Sequence, residues 1–167
     1  MRRVDGAGRH GLSLPACAPH RRPVPSGTIA GVSTDTTRCP CGSGDTLTAC
    51  CGPILAGERR AATAEQLMRS RYTAFAQGHL EHLLRSWDPR NRPDREELAD
   101  SLADGSRWLR LDILATTDGG PFADRGTVEF RAVARTDRGR VQLHERSRFR
   151  RADGQWLYVD GDIDPDT

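Results

Sequence analysis

Apolar residues recur with a helical period between residues 63 and 103, then alternate with polar ones as strands do. Met68, Tyr72, Phe75 and His79 stand at i, i+4, i+7 and i+11 and form one helical stripe. Thr63 and Gln66 ahead of it make a capping box, and Gly78 offers a stop. Leu80, Leu83, Leu84 and Trp87 repeat the stripe until Asp88-Pro89 ends it. A short third helix is expected from about Asp94 to Ala103, buried through Leu98 and Leu102 and ended by Gly105. Four strands follow. Leu109, Leu111, Ile113 and Ala115 define one face of the first; Val128, Phe130, Ala132 and Ala134 define one face of the second. The third is Val141–Arg151 and the fourth Trp156–Asp160, with turns at Asp118–Pro121, Asp137–Gly139 and Asp153-Gly154. Helices first and a meander after predict an α+β fold, with helices covering one face of an antiparallel sheet.

Composition narrows the picture. The 167 residues are 36% hydrophobic and 29% charged, enough for a modest core. No run approaches the roughly 18 apolar residues that span a bilayer, so no membrane association is expected. The first 38 residues are rich in Gly, Pro, Ser, Thr and Arg and have neither period, so a disordered or mis-started tail is expected there, with Val32 as an internal start. No apolar run follows Arg2-Arg3, so no export signal is read and a cytoplasmic location is expected. That tail holds a net +4, which leaves residues 39–167 at a net −2 within the total of +2. A mildly acidic globular part argues against nucleic acid as partner. No lysine occurs, which excludes Schiff-base and P-loop lysine chemistry.

Four of the five cysteines lie together as Cys39-Pro40-Cys41 and Cys50-Cys51, a C-x-C-x8-C-C spacing. Two pairs of thiols separated by a turn can converge on one ion, and zinc wants four such ligands at about 2.3 Å. Gly42, Ser43 and Gly44 permit the tight turn, and their N–H groups can reach the sulfurs. Dithiol redox chemistry and inert thiols are the alternatives; a disulfide framework would need export. Cys17 lies outside the cluster and reads as incidental.

CPCGSG followed by CCGP resembles the SEC-C motif, a small zinc-binding module found at the tail of the SecA translocation ATPase. The stretch Thr63–Phe75, then Trp87, Glu145–Phe149 and Gly154–Gly161, is similar in order to the YchJ family of bacterial proteins of unassigned function. The resemblance covers about residues 39–161. It implies a SEC-C module at 39–57 with Cys39, Cys41, Cys50 and Cys51 as Zn²⁺ ligands. It also implies a nuclear transport factor 2-like cone over 60–163. Such cones often hold a cavity between sheet and helices. By analogy with SecA, the module suggests a protein partner near chaperones or ribosomes. The turn here is Asp45–Ala49, without the lysine and aromatic common in SecA-type modules.

Cavity candidates come from the strand pattern. Val141, Leu143, Glu145, Ser147 and Phe149 share one strand face, so Glu145 is a carboxylate among apolar or small neighbours. Arg69 and Arg71 are its possible ion-pair partners, and at most one of them points inward. Trp156, Tyr158 and Asp160 are expected to share a face of the last strand, with Trp87 beside them. The leading expectation is a non-enzymatic binding protein holding a partner segment or a small ligand. The alternative is an enzyme with Glu145 or Asp160 as general base and Tyr72 or Tyr158 as donor. An open cavity containing Glu145 favours the enzyme; a filled one with Glu145 clamped to an arginine favours the binding module. Arg146, Arg148, Arg150 and Arg151 read as a solvated strand face, with Arg148 also a cavity or ion-pair candidate, and His79, His82 and His144 as surface or capping residues.

Overall fold

In the computed structural model, residues 36–164 are described. The expectation of a tail, up to residue 35 and together with Cys17 and Val32, falls on residues outside that range. Four helices precede four strands: α1 Gly52–Ala56, α2 Ala64–Gln77, α3 Leu80–Arg85, α4 Arg95–Leu102, then β1 Arg107–Asp118, β2 Arg125–Thr136, β3 Gly139–Ala152 and β4 Gln155–Ile163. The strands form one antiparallel meander in the order β1-β2-β3-β4.

Local chemistry sets the boundaries of α2. Thr63 Oγ1 accepts from the Gln66 amide at 3.1 Å, and the Gln66 side chain accepts from the Ala62 amide at 2.9 Å. The capping box therefore closes one residue further back than the motif implies. Gly78 ends the helix in the left-handed region, φ 75°, where a side chain is disfavoured. The stripe of α2 buries Leu67, Met68, Tyr72 and Ala74 against the sheet. α3 adds Leu83, which is wholly buried, and α4 adds Leu98.

Three β-bulges correct the strict alternation expected of the strands. Extra residues at Leu109 and Leu114 shift the β1–β2 register. They turn Trp108 and Leu111 toward Ala134 and Ala132, while Leu109 is 40% exposed and Ala115 faces outward. The third bulge, at Val159, lies between the pairs Phe149–Tyr158 and Arg148–Asp160. Trp156 and Tyr158 therefore keep to the inner face and Asp160 goes to the outer one. The segment after α3 is joined to β4 by two backbone bonds. The Asp88 amide donates to Tyr158 O at 2.8 Å, and the Tyr158 amide donates to Ser86 O at 2.9 Å. Asp88 is fully buried there, with Arg150 and Arg90 on its carboxylate, which hold that carboxyl well below the usual range.

Candidate metal centre and cavity

The cysteine hairpin is built by backbone bonds from Cys39 N to Asp45 O at 2.9 Å and from Gly52 N to Leu47 O at 2.7 Å. Thr37 and Arg38 pair with Leu47 and Thr46, so the hairpin begins ahead of Cys39. Its two arms bring the Sγ atoms of Cys39, Cys41, Cys50 and Cys51 within 4.8 Å of one another. The Cys41–Cys50 and Cys50–Cys51 sulfurs stand 3.6 and 3.8 Å apart. A tetrahedron with sulfurs about 2.3 Å from a central ion has edges of about 3.8 Å, so the donor set has the size of one tetrahedral metal site. Cys39, Cys41 and Cys51 are buried and Cys50 partly so.

Crowding shows in the thiol chemistry. Hydrogen bonds from Cys39 and Cys51 stabilise a thiolate on Cys41, far below the usual thiol range. The sulfurs of Cys39 and Cys41 push Cys51 far up, and burial pushes Cys50 up to about 11. A negative charge on Cys41 is thus favoured, while Cys50 and Cys51 resist theirs. A divalent cation at the centre removes that conflict. The surroundings suit a thiolate cluster: Ser43 donates its hydroxyl to Cys50 Sγ at 3.3 Å, and Thr73 Oγ1 lies 3.8 Å from Cys39 Sγ. Arg69 ties the hairpin to α2 through Cys41 O at 3.0 Å while pairing with Glu65 at 2.8 Å. Arg59 holds Cys50 O at 2.6 Å.

The second site is a cavity of about 220 Å³ between α2 and the sheet. Met68, Phe75, Trp108, Phe130 and Leu143 give it apolar walls, and its polar groups are Arg71, Tyr72, Trp87, Glu145, Ser147 and Tyr158. Trp108 was not among the expected wall residues, because the bulge at Leu109 that turns it inward leaves no mark in the periodicity. Arg71 is the inward arginine, only 3% exposed. Its guanidinium lies 4.5 Å from the Trp87 ring and 4.4 Å from the Tyr158 ring. Nη1 donates to Ser86 Oγ at 2.9 Å and to Leu83 O at 3.3 Å. Burial pulls this group down to about 10. Glu145 Oε1 accepts from the Ser147 hydroxyl at 2.6 Å and the Tyr158 hydroxyl at 3.0 Å. Burial, then the nearby Glu145, push the Tyr158 phenol above its ordinary range, so it stays a donor. Gly161 makes room: a Cβ there would fall 2.0 Å from Glu145 Oε1.

Several sequence candidates lie elsewhere. The clamp of Glu145 by an arginine is absent among the described residues. Asp160 pairs with Arg148 on the outer face, and Arg148 also holds Asp162, so neither lines the cavity. Trp156 donates to Ala62 O at 3.2 Å under Arg151 and lines a different groove. His82 is a further correction: it is 3% exposed, and Nε2 lies 2.9 Å from Ser70 Oγ, which itself donates to Leu67 O. Its burial beside Arg85 pulls it down to about 3 and keeps it neutral. His79 stays exposed, and His144 bridges Glu129 and Asp164 at 2.9 and 3.0 Å.

Known proteins share this arrangement. The family profile described as YchJ, middle NTF2-like domain, matches residues 63–161, and the SEC-C motif matches residues 36–53. The chain belongs to the YchJ family. Within it, a UPF0225 protein of Streptomyces coelicolor is 50% identical over 128 residues, covering 77% of this chain and 97% of that one. A UPF0225 protein of Corynebacterium glutamicum is 50% identical over 127 residues, covering 76% and 98%. Among solved structures, a SEC-C motif containing protein from Rhodopseudomonas palustris has a TM-score of 0.68 at 40% identity, covering 75% of this chain and 98% of that one. One from Psychrobacter arcticus has a TM-score of 0.65 at 26% identity, covering 78% and 84%. The α+β fold, with a cysteine hairpin ahead of a nuclear transport factor 2-like domain, is thus shared with solved relatives. Among the described residues, no helix is long and apolar enough to cross a membrane.

Proposed function

We propose that this chain is a zinc-stabilised binding protein whose cone cavity takes a small ligand. Four thiolates would fill all four positions of a tetrahedral zinc ion, leaving none for substrate, which makes the metal structural. Its task is to fix the hairpin against α2, where Arg69 and Thr73 meet it. The observation that carries the ligand reading is the lining of the cavity. It is apolar over most of its wall, with a few convergent polar groups, as small-molecule sites are.

The test fills the cavity. Ala132 is buried on β2 and lines it, so Ala132→Phe places a ring inside. Ligand-observed NMR against a library of small aromatic compounds should give hits with the native protein and lose them in Ala132→Phe, with the backbone spectrum otherwise kept. No hits, or hits that survive the filling, would defeat the reading.

An enzyme is the second reading, and one observation favours it: Glu145 lies in an open cavity with no arginine clamp. As general base it would act through Oε2, since the hydroxyls occupy Oε1. Glu145→Gln abolishing turnover of a bound compound while keeping its binding would establish that reading. A protein partner would meet the exposed turn of Gly42, Ser43, Gly44 and Asp45. A cytoplasmic setting suits the four free thiols.

A further inference from the structure

The cavity holds one buried cation and one carboxylate, and the protein satisfies only half of each. Arg71 spends Nη1 on Leu83 O and Ser86 Oγ, while Nε and Nη2 make no hydrogen bond among the described residues. Glu145 spends Oε1 on the Ser147 and Tyr158 hydroxyls, while Oε2 accepts none among the described residues. The two charges do not pair with each other, although both line one cavity. A buried ion pair closed on itself would gain most of its Coulombic energy directly. Here the aromatic faces of Trp87 and Tyr158 hold the guanidinium instead.

This pattern defines a ligand by its complement. The open edge of Arg71 calls for an acceptor with negative charge, a carboxylate. The open oxygen of Glu145 calls for a donor with positive charge, an ammonium. A ligand with only one of these groups would leave the other protein charge unanswered inside the cavity. The remaining wall, with Met68, Phe75, Trp108, Phe130 and Leu143, calls for an apolar body. At about 220 Å³ the space is smaller than a drug-sized pocket, so it suits about a dozen non-hydrogen atoms. We propose that the cone cavity recognises a small zwitterion with an apolar side chain, an α-amino acid or close analogue, its carboxylate on Arg71 and its ammonium on Glu145. This rests on the reading of the cavity as a ligand site.

The experiment compares four probes of one shape by calorimetry on the zinc-loaded full chain. L-phenylalanine carries both charges, 3-phenylpropanoate only the anion, 2-phenylethylamine only the cation, and 3-phenylpropanol neither. The expected result is that phenylalanine binds roughly thirtyfold or more tightly than each singly charged probe, the effect of leaving one buried charge unpaired. Glu145→Gln, close in shape, should reduce the preference over 3-phenylpropanoate to within about threefold, and Arg71→Met the preference over 2-phenylethylamine, if that variant folds. Tighter binding of 3-phenylpropanol than of phenylalanine would overturn the zwitterion and leave the cavity reading standing. A preference unchanged in Glu145→Gln would overturn it as well. No binding of any probe would defeat both.

Discussion

In the cysteine hairpin, four donors within residues 39–51 meet inside 4.8 Å, the size of one tetrahedral metal site. In the cavity, Arg71 on α2, Glu145 on β3 and Tyr158 on β4 come from three elements, and the two charges stay apart. The hairpin is a site of excess, where like groups are forced together and one cation relieves all of them. The cavity is a site of deficit, where unlike groups are held open and await a complement. The first arrangement has the size of a metal site; in the second, aromatic faces and hydroxyls hold the charges. A close cluster of identical ligands therefore speaks for structure, and separated opposite charges for recognition.

Breaking the hairpin should have the largest effect. Structural zinc contributes on the order of 10 kcal/mol of binding free energy in isolated zinc modules. Cys41→Ser should lose the metal by elemental analysis and lower the midpoint of thermal unfolding by on the order of 10 °C or more. A variant that retains one zinc per chain would refute the four-thiolate assignment. On the cone side, Leu83 is wholly buried, so Leu83→Ala should cost about 2–5 kcal/mol by denaturant titration while leaving metal content unchanged. Loss of metal in that variant would show that the two regions are not separable. Gly161→Ala forces Glu145 off its two hydroxyl donors and should cost about 1–3 kcal/mol. An unchanged denaturation midpoint would mean that Glu145 has another place to go.

The smallest effect sharpens the comparison through pH. Unfolded, His82 takes a proton near its ordinary 6.5; folded, it stays neutral down to about 3. Between those values the unfolded chain binds the extra proton. His82 therefore leaves stability whole above about 6.5 and erodes it as pH falls toward 3, by at most about 1.4 kcal/mol per pH unit. Subtracting the unfolding curves of His82→Gln from those of the native protein isolates this slope, because thiol protonation is common to both. A difference that does not vary with pH would mean that His82 is charged in the folded chain.

What was legible in the sequence divides along the same line. The cysteine spacing is local, and so are the capping box at Thr63 and Gln66 and the glycine stop at Gly78; each follows from residues a few positions apart. The strand alternation located Glu145 and Tyr158 on the inner face. It misplaced Asp160, Leu109 and Ala115, because a bulge inserts one residue and reverses the parity of everything beyond it. It could not find Trp108 for the same reason. His82 escaped because burial of a histidine depends on a partner such as Ser70, which only the packing of α3 on α2 supplies. Asp88 read as a helix terminator, and its bond to Arg150 joins residues 62 positions apart.

The two backbone bonds that sew residues 86–88 to Tyr158 carry a consequence for the order of events in synthesis. Chains emerge from the amino end, and contacts between distant positions form late. Among the described elements β4 is made last, and it brings one of the two aromatic faces that shelter Arg71. Until Tyr158 has left the ribosome, that guanidinium must stay in water and α2 cannot settle fully on the sheet. The cavity wall is thereby complete only in a chain whose last described strand is in place.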